Sequence, residues 1–452
     1  MAEVKGKSRI AVIGGGLVGA LAACFLAKRG HRVVIYEYRS DIRLENSLGQ
    51  SINLALSVRG REALRAIGLE DALVKCHGSR MRGRMLHDKN GNLKEIFYDS
   101  VKGNCIYSVS RRHLNVVLLD DRVRVSSVRK SSLPCLISND NALCVKPQEF
   151  TCLILPAFFI RSYVANMISA AEEYPEVQLN FNRKLVDADL EKGRMKFLNM
   201  ETGAIEDVET DLIIGADGAY SRVRKIMAKR PLFNYAQTYI EHGYVEISVP
   251  SGKKNELKTP KMLLTFYAEH FPDLLRLIGK QNLIKQFFAQ EPRTLISVKC
   301  KPYHVGKTAL IVGDAAHAMV PFYAQGMNAG FEDILLLDEL MERYNSDFAK
   351  VLPKFSELRC DDGHAICDLA MYNYLEMRDL VTKKSFLVRK FLDNFLYTYI
   401  PNCWVPLYSS VHFTRMSFRD CIAHREWQNK VLRTSVWSFG ALILAILIIL
   451  FI

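Results

Sequence analysis

An aspartate that closes a short apolar run and a glycine-containing loop behind it form a combination that can hold an anionic group. Ala309 to Val312 have the length and composition of a buried strand, and the pair Gly313-Asp314 ends it. The loop contains Gly326, and an apolar repeat with helical spacing starts near Met327. Because a helix N-terminus carries roughly half a positive charge, the stretch predicts a site for a cofactor that becomes negatively charged. An ordinary strand, turn and helix with incidental glycines is the alternative.

A second glycine-rich turn lies near the start of the chain. The apolar segment Ser8 to Ile13 leads into the sequence GGGLVG, a helical pattern follows, and the next apolar strand ends at Glu37. In such a unit Gly14 allows the tight turn, Gly16 lets a pyrophosphate approach the backbone, and Gly19 lets the helix pack on the strand. The acid at the end of the second strand can accept ribose hydroxyls, which favours FAD or NAD over NADP.

A third strand ends in a polar motif at GADGAYSRVR. Asp217 follows the apolar run of this strand, and Ser221 has the residue type of a helix N-cap. Ligands of open α/β sheets bind at the carboxyl ends of the strands, so Asp217 is a candidate ligand-binding residue.

Composition restricts the class of protein. The 452 residues suffice for two or three domains, and the 49% hydrophobic content is ordinary for a globular enzyme. The net charge is +13, but no compact basic run or nucleic-acid motif accompanies it, so nucleic acid is not expected as a partner. The eleven cysteines are scattered, without CxxC or Cys/His spacing. We therefore expect free thiols, no metal site and a reducing, cytosol-facing compartment.

The C-terminal stretch has a different character. Nothing from Thr434 to Ile452 is charged, and at 1.5 Å per residue a helix of this length spans roughly 28 Å, close to a bilayer core. Arg425, Lys430 and Arg433 flank its N-terminal side, and positive flanks stay in the cytoplasm. The sequence thus predicts a transmembrane anchor with the body of the protein facing the cytosol.

The three strand-end motifs resemble those of the single-component FAD-dependent aromatic hydroxylases. Their order along the chain is GGGLVG at 14–19, GADGAYSRVR at 215–224 and GDAAHAMVP at 313–321. Further segments are similar to the branch of this family that hydroxylates L-kynurenine; they are SINLALS at 51–57, MRGRM at 81–85, AQGMNAGFED at 324–333, MYNYLEMR at 371–378 and VPLY at 405–408. The resemblance covers most of the chain. It implies a place in tryptophan catabolism and de novo NAD synthesis, at the mitochondrial outer membrane.

The resemblance implies an α/β fold: a Rossmann-like FAD-binding domain of the aromatic-hydroxylase type, an α+β antiparallel-sheet substrate domain, a helical C-terminal region and a transmembrane helix. The expected boundaries are 1–80, 105–115, 165–225 and 295–345 for the discontinuous FAD-binding domain, 81–104 and 226–294 for the substrate domain, 346–433 for the helical region and 434–452 for the anchor.

The implied reaction uses bound FAD, with NADPH, O2 and L-kynurenine as substrates, and proceeds through a C4a-hydroperoxyflavin to 3-hydroxykynurenine. The cofactor supplies the difficult chemistry, so no protein residue is required as a catalytic acid or base. His317 lies three residues after Asp314, in the motif GDAAHAMVP, and is interpreted as a packed or backbone-bonded histidine rather than as a base.

The resemblance also assigns residues to the two ligands. The implied FAD-binding residues are Gly14, Gly16, Leu17, Val18, Gly19, Glu37, Arg39, Ala55, Arg111, Asp217, Asp314, Gln325, Gly326, Met327 and Asn328. The implied substrate-binding residues are Arg84, Tyr98, Pro321, Phe322, Asn373 and Tyr408. A guanidinium can form paired hydrogen bonds with a carboxylate, and phenol and amide groups can bond around it.

The sequence departs from the family pattern in two places. Residues 116–164 form an atypical insertion, and the substrate-domain sheet near 250–268 is shortened. Ala324 also stands where the family usually has glycine, and Gln50 where relatives often have arginine. The hypothesis is an intact FAD site under an incomplete substrate domain. Two alternatives stay open, a membrane-anchored flavoprotein reductase of another substrate and a catalytically impaired FAD-binding variant.

Overall fold

The computed structural model describes residues 7–41, 54–71, 74, 78–87, 93–109, 177–244, 259–289 and 293–451. Its strands are β1 (Arg9–Ile13), β2 (Arg32–Tyr36), β3 (Ala55–Leu56), β4 (Gly78–Met81), β5 (Gly83–His87), β6 (Leu93–Phe97), β7 (Ile106–Val109), β8 (Val177–Asn180), β9 (Arg183–Asp189), β10 (Arg194–Asn199), β11 (Ile205–Glu209), β12 (Leu212–Gly215), β13 (Asn234–Tyr244), β14 (Arg293–Lys301), β15 (His304–Val305) and β16 (Ala309–Ile311).

The helices are α1 (Leu17–Lys28), α2 (Val58–Ala66), α3 (Arg222–Met227), α4 (Pro260–His270), α5 (Pro272–Ile278), α6 (Lys280–Phe288), α7 (Asp314–His317), α8 (Gly326–Arg343), α9 (Phe348–Arg378), α10 (Lys384–Tyr399), α11 (Leu407–Phe413) and α12 (Phe418–Phe451). Two 3-10 turns lie at Pro321–Tyr323 and Leu380–Thr382.

The central sheet has six strands in the order β15–β16–β12–β1–β2–β8. All neighbouring strands pair in parallel except β15, which is antiparallel to β16. The inner strands read as continuous apolar runs such as IAVI and LIIG, because sheet faces covered on both sides require apolar residues throughout. Helix α1 is buried from Gly19 to Ala27, so it packs as an inner layer. This arrangement brings the carboxyl ends of β1, β12 and β16 to one edge.

The remaining strands form smaller antiparallel sheets. They are β9–β10–β11, β3–β7–β4, β5–β6 and β13–β14. The last of these begins with Asn234 opposite Lys301 and ends with Tyr244 opposite Arg293. Among the described residues this sheet has two strands, and the three helices α4 to α6 lie between these strands in the chain, with a small core of their own around Leu263 and Phe287.

The C-terminal helix gives a correction. The residues expected to form a transmembrane helix, 434–452, fall largely within α12, whose first half carries charged residues such as Arg425 and Lys430. In the part of the chain that the structure describes, no helix is both long enough and apolar enough to cross a membrane. The predicted transmembrane helix is therefore not supported.

Some expectations lie outside the described residues. They are the insertion at 116–164, Gln50 and the proposed FAD contact Arg111.

Candidate active site

The glycine turn after β1 has the close contacts that require glycine. Gly14 has a φ of +103°, and a side chain there would meet the carbonyl oxygen of Ala216 at 2.5 Å. A Cβ on Gly19 would lie 2.0 Å from the carbonyl oxygen of Gly14, so α1 packs directly on the turn. A Cβ on Gly16, in contrast, would meet nothing within 4 Å. The open side of the turn is thus the side where a pyrophosphate could approach the start of α1.

Glu37 at the end of β2 is buried and braces the same turn. Its Oε2 accepts a hydrogen bond from the Gly15 N–H at 2.8 Å. Its Oε1 accepts from the backbone N–H and the Nε of Arg39, at 3.1 and 2.8 Å. The carboxylate therefore has a structural role beside the predicted contact with the ribose, and Arg39 is held next to it. Val18, one turn further, packs closely against Gly313 and Gly330, while Leu17 is half-buried against the core.

Asp314 lies at the carboxyl end of β16 in an unusual environment. Its side chain is exposed to open space, yet burial among surrounding protein atoms raises the pKa of its carboxyl group, with His317 and Arg224 opposing this rise. This combination indicates a residue that lines an interior cavity. A Cβ on Gly326 would lie 3.7 Å from Asp314 Oδ1, which places the carboxyl group beside the first residue of α8.

The start of α8 carries polar groups without partners. Gln325 precedes the helix and is 1% exposed, and neither its Nε2 nor its Oε1 has a hydrogen-bond partner among the described residues. The Ser57 hydroxyl at the start of α2 is likewise buried and unpartnered there. Buried polar groups are normally hydrogen-bonded, so unpartnered groups beside the start of α8 fit the polar edge of a bound cofactor.

Asn328 on α8 connects this helix to β3 and to the start of α2. Its Nδ2 donates to the carbonyl oxygens of Ala55 and Ala324, at 2.9 and 2.8 Å, and its Oδ1 accepts from the Ser57 N–H at 2.9 Å. Its amide is therefore fully used within the protein, although the sequence predicted it as a flavin contact. Met327, its neighbour, packs against the main core.

Asp217 at the end of β12 serves mainly as a helix cap. Its Oδ1 accepts from the Ser221 hydroxyl at 2.5 Å, and its Oδ2 accepts from the N–H groups of Arg222 and Val223. Burial raises the pKa of Asp217 despite these bonds. The buried Arg224 on the same helix donates to the carbonyl oxygen of Ala315 at 2.7 Å, so α3 supports the turn that carries Asp314.

These features together fit FAD. We call the Gly14–Gly19 turn, Asp314 and the segment Gln325–Asn328 the flavin seat. It provides an open backbone turn at a helix N-terminus, an acid in a cavity and an unpartnered amide at a second helix start. Among the described residues no cluster of His, Cys, Asp or Glu could hold a metal ion.

A second cavity lies next to the Pro321–Tyr323 turn, and we call it the substrate cavity. Its wall includes the predicted residues Arg84, Tyr98 and Tyr408, together with Tyr323 and Glu376. The rings of Tyr98 and Tyr408 stack at a centroid distance of 5.3 Å. Glu376 was not predicted, although it lies three residues after Asn373 on one face of α9.

The ionisable side chains that line the substrate cavity are partly buried. Burial raises the pKa of Glu376, and Arg84, Lys390 and Arg425 oppose this rise. Burial also raises the pKa of the Tyr98 hydroxyl, with Arg84 opposing. The cavity thus presents cationic and anionic groups close together, as an amino-acid zwitterion requires.

Three predicted substrate residues take supporting positions. Asn373 is buried and its Nδ2 donates to the Phe322 carbonyl oxygen at 2.9 Å, so it fixes the turn rather than facing open space. The Phe322 ring stacks on Tyr374 at 4.9 Å, and Pro321 begins the turn.

Behind Tyr408, burial lowers the pKa of His412 to about 4, so this imidazole is neutral at physiological pH.

The fold and the flavin seat agree with known proteins. A model described as "FAD binding domain" matches residues 7–271 and 244–350. The chain shares its fold with 2-methyl-3-hydroxypyridine-5-carboxylic acid oxygenase, at a TM-score of 0.57 and 19% identity, covering 84% of this chain and 94% of that one. These matches define an FAD-binding protein with the fold of a flavoprotein oxygenase.

Sequence relatives narrow the class. Kynurenine 3-monooxygenase of Anopheles gambiae is 45% identical over 465 residues, 94% of this chain and 85% of that protein. Kynurenine 3-monooxygenase of Sus scrofa is 38% identical over 478 residues, 97% of this chain and 90% of that protein. The chain belongs to the kynurenine 3-monooxygenase family. It is therefore an FAD-dependent aromatic monooxygenase, of a class with NADPH as co-substrate.

Proposed function

We propose that the protein hydroxylates L-kynurenine to 3-hydroxykynurenine, with FAD bound in the flavin seat and NADPH and O2 consumed. The observation that carries this proposal is the substrate cavity, where Arg84 and Glu376 lie beside two stacked tyrosines. L-kynurenine has a carboxylate, an ammonium group and an aromatic ring, so each of its features has a counterpart in the wall.

The residues would act by orientation. Arg84 would form charge-assisted hydrogen bonds with the carboxylate, and Glu376 would attract the ammonium group. The Pro321–Tyr323 turn follows α7 and precedes Gln325, so an amino acid held by these groups would direct its ring towards the flavin seat. Holding the reactants in this way supplies proximity and excludes water.

In the flavin seat, the Gly14–Gly19 turn would hold the pyrophosphate, Asp314 the ribityl hydroxyls, and Gln325 the isoalloxazine edge. The uncapped N-terminus of α8 would stabilise negative charge on the ring. When bound, FAD supplies hydride acceptance and oxygen activation, which side chains cannot perform.

The test is turnover by the full chain purified in detergent. We expect a flavin absorbance spectrum, NADPH oxidation that L-kynurenine stimulates, and a product that carries one ¹⁸O atom from ¹⁸O2. Bound flavin without stimulation by L-kynurenine would contradict the proposal and favour a reductase of another substrate or an impaired variant.

A variant at Arg84 tests the substrate cavity itself. Loss of the charged bonds in Arg84→Met should raise KM for L-kynurenine about a hundredfold, because charge-assisted hydrogen bonds are worth roughly 1.5–3 kcal/mol. FAD content should not change. The matched control is Arg82→Met, since Arg82 is exposed on the neighbouring backbone. An equal rise of KM in both variants would show that Arg84 has no specific role.

The location at the mitochondrial outer membrane, with the body facing the cytosol, stays a prediction from the sequence. Protease protection of fractionated mitochondria measures it.

A further inference from the structure

One buried carboxylate holds both ends of the short helix that carries Asp314. Asp333 Oδ2 accepts a hydrogen bond from the Gly313 N–H at 2.8 Å and lies 2.7 Å from His317 Nε2. Gly313 precedes α7 and His317 is its last residue, so the two contacts enclose the whole turn. Both Asp333 and His317 are 0% exposed. Asp333 thereby fixes the length and direction of α7.

The carboxylate is itself held in place by α9. Arg359 Nε donates to Asp333 Oδ1 at 2.5 Å, and the same guanidinium contacts Glu332 and Asp362. Burial alone would raise the pKa of Asp333, but His317 and Arg359 lower it, so the group is ionised. The Asp333 carboxylate is therefore fixed in direction, and both of its oxygens remain available as hydrogen-bond acceptors.

The ring of His317 makes one hydrogen bond among the described residues, the contact of its Nε2 with Asp333. Its Nδ1 is buried without a hydrogen-bond partner in the same part of the chain. Beyond this contact, the ring packs against Tyr303 at a centroid distance of 6.0 Å and interacts electrostatically with Asp314. This geometry differs from that of a general base, which must reach a substrate proton.

Asp314 depends on these contacts for its direction. It lies between Gly313 and His317, and its own carboxyl group has no hydrogen-bond partner among the described residues. Without a hydrogen bond to hold it, the direction of this side chain depends strongly on the backbone of α7, although His317 and Arg224 also act on its charge. A shift of the α7 turn would therefore move the carboxyl group that faces the flavin seat.

We propose that His317 and Asp333 are positioning residues, which act on FAD binding by fixing the direction of Asp314. The inference rests on the proposed role of Asp314 as an FAD contact. A purely structural role for the pair would lower stability without a specific effect on the cofactor, and the two possibilities give different results in a mutant cycle.

The experiment measures the FAD dissociation constant of the apoprotein by quenching of flavin fluorescence, together with the melting temperature of the apoprotein. The variants are His317→Phe, His317→Gln, Asp314→Asn and the double variant of His317→Phe with Asp314→Asn. Glutamine places an amide N–H near the position of Nε2 and is the conservative replacement.

We expect His317→Phe to weaken FAD binding about tenfold and His317→Gln to restore it to within about threefold of the wild type. In the Asp314→Asn background the Phe substitution should add less than about twofold, because residues that act through one another are not additive. If the Phe variant does not fold, Asp333→Asn completes the same cycle, since it keeps the size of the side chain.

Additive effects in the cycle, or an unchanged FAD dissociation constant with a lower melting temperature, would overturn the inference. A normal FAD dissociation constant in Asp314→Asn alone would instead refute the proposed role of Asp314. The control is Asp338→Asn near the C-terminal end of α8, which removes the charge of the ion pair with Arg29. Equal loss of FAD affinity in this control would show general loosening of α8 and would also overturn the inference.

Discussion

The flavin seat and the substrate cavity both include residues in or next to the Pro321–Tyr323 turn, and their charges are compensated differently. Behind the seat, Arg359 contacts Glu332, Asp333 and Asp362 within the protein, and all of these groups are buried. In the substrate cavity, Glu376 and Arg84 are only half-buried and face an accessible space. The charges behind the seat therefore have their partners within the protein, whereas the charges of the cavity face space that a ligand can enter.

This difference fits the residence of the two ligands. A cofactor that stays bound benefits from a first layer of residues locked by a second layer. A substrate that enters and leaves needs charged groups that pair with it on binding. Between binding events, those groups must be stable in contact with water. The comparison predicts that mutations behind the seat affect stability most, and mutations in the cavity affect kinetics.

The largest effect is expected for Arg359→Met. The substitution keeps much of the side-chain volume but leaves three buried carboxyl groups without their shared cation. Removal of one partner from a buried ion pair costs about 3–5 kcal/mol. Chemical denaturation should show a loss of this size in the free energy of unfolding.

The control for this prediction is Lys354→Met on the same helix. Lys354 contacts Glu357 at 2.7 Å, but the glutamate is exposed, and exposed pairs contribute about 0–1 kcal/mol. A loss below about 1 kcal/mol for Arg359→Met would break the comparison, because the charges behind the seat would then be no more important than those on the surface.

An intermediate effect is expected for Glu376→Gln, through pH. Burial raises the pKa of Glu376, so the group keeps its proton to higher pH than an ordinary glutamate. The protonated form cannot attract an ammonium group, and kcat/KM of the wild type should therefore fall as pH decreases towards this raised pKa. The variant should lack this acidic limb and lose about tenfold in kcat/KM at neutral pH, a loss of about 1.4 kcal/mol.

The pH profile of Glu357→Gln serves as the control, since Glu357 is exposed on the same helix. An unchanged acidic limb in Glu376→Gln would assign the ionisation to another group and remove Glu376 from the substrate site.

The flavin seat was predictable because its residues are neighbours in sequence. The Gly14–Gly19 turn and the stretch from Asp314 to Asn328 each follow a strand and begin a helix, and local spacing reveals such units. The family resemblance that these units carry implied the FAD-binding α/β fold, and the FAD-binding family match confirms this part of the predicted architecture. Spacing does not reveal whether a polar side chain is already hydrogen-bonded to other protein groups, as the side chains of Asn328 and Asp217 are.

The substrate cavity was harder to predict because several distant segments of the chain meet there. Arg84 and Tyr408 come from a strand and a helix more than three hundred residues apart, and only tertiary packing brings them together. Asn373 was predicted to contact substrate, but its amide bonds to Phe322, and Glu376 one turn later lines the cavity. Asn373 and Glu376 lie three residues apart on one face of α9, and the bond of Asn373 to the Phe322 carbonyl oxygen leaves Glu376 as the residue that lines the cavity.

The smallest effect concerns Ala324, which joins the two regions. Its φ of 51° and ψ of 32° lie in the left-handed region, which costs a residue with a Cβ roughly 1–2 kcal/mol. Glycine removes this strain but gives the unfolded chain more entropy, about 0.4–1 kcal/mol. Ala324→Gly should therefore raise the free energy of unfolding by about 0.5–1 kcal/mol, measured by urea denaturation.

Ala370→Gly, in the interior of α9, is the opposite control and should lower the free energy of unfolding by about 1 kcal/mol or more. A loss in both variants would mean that the Ala324 methyl group, which packs near Ala55 and Tyr98, outweighs the backbone strain. A gain for Ala324→Gly with unchanged FAD affinity would place the strain in the turn alone. The flavin seat would then be independent of the turn that lies next to the substrate cavity.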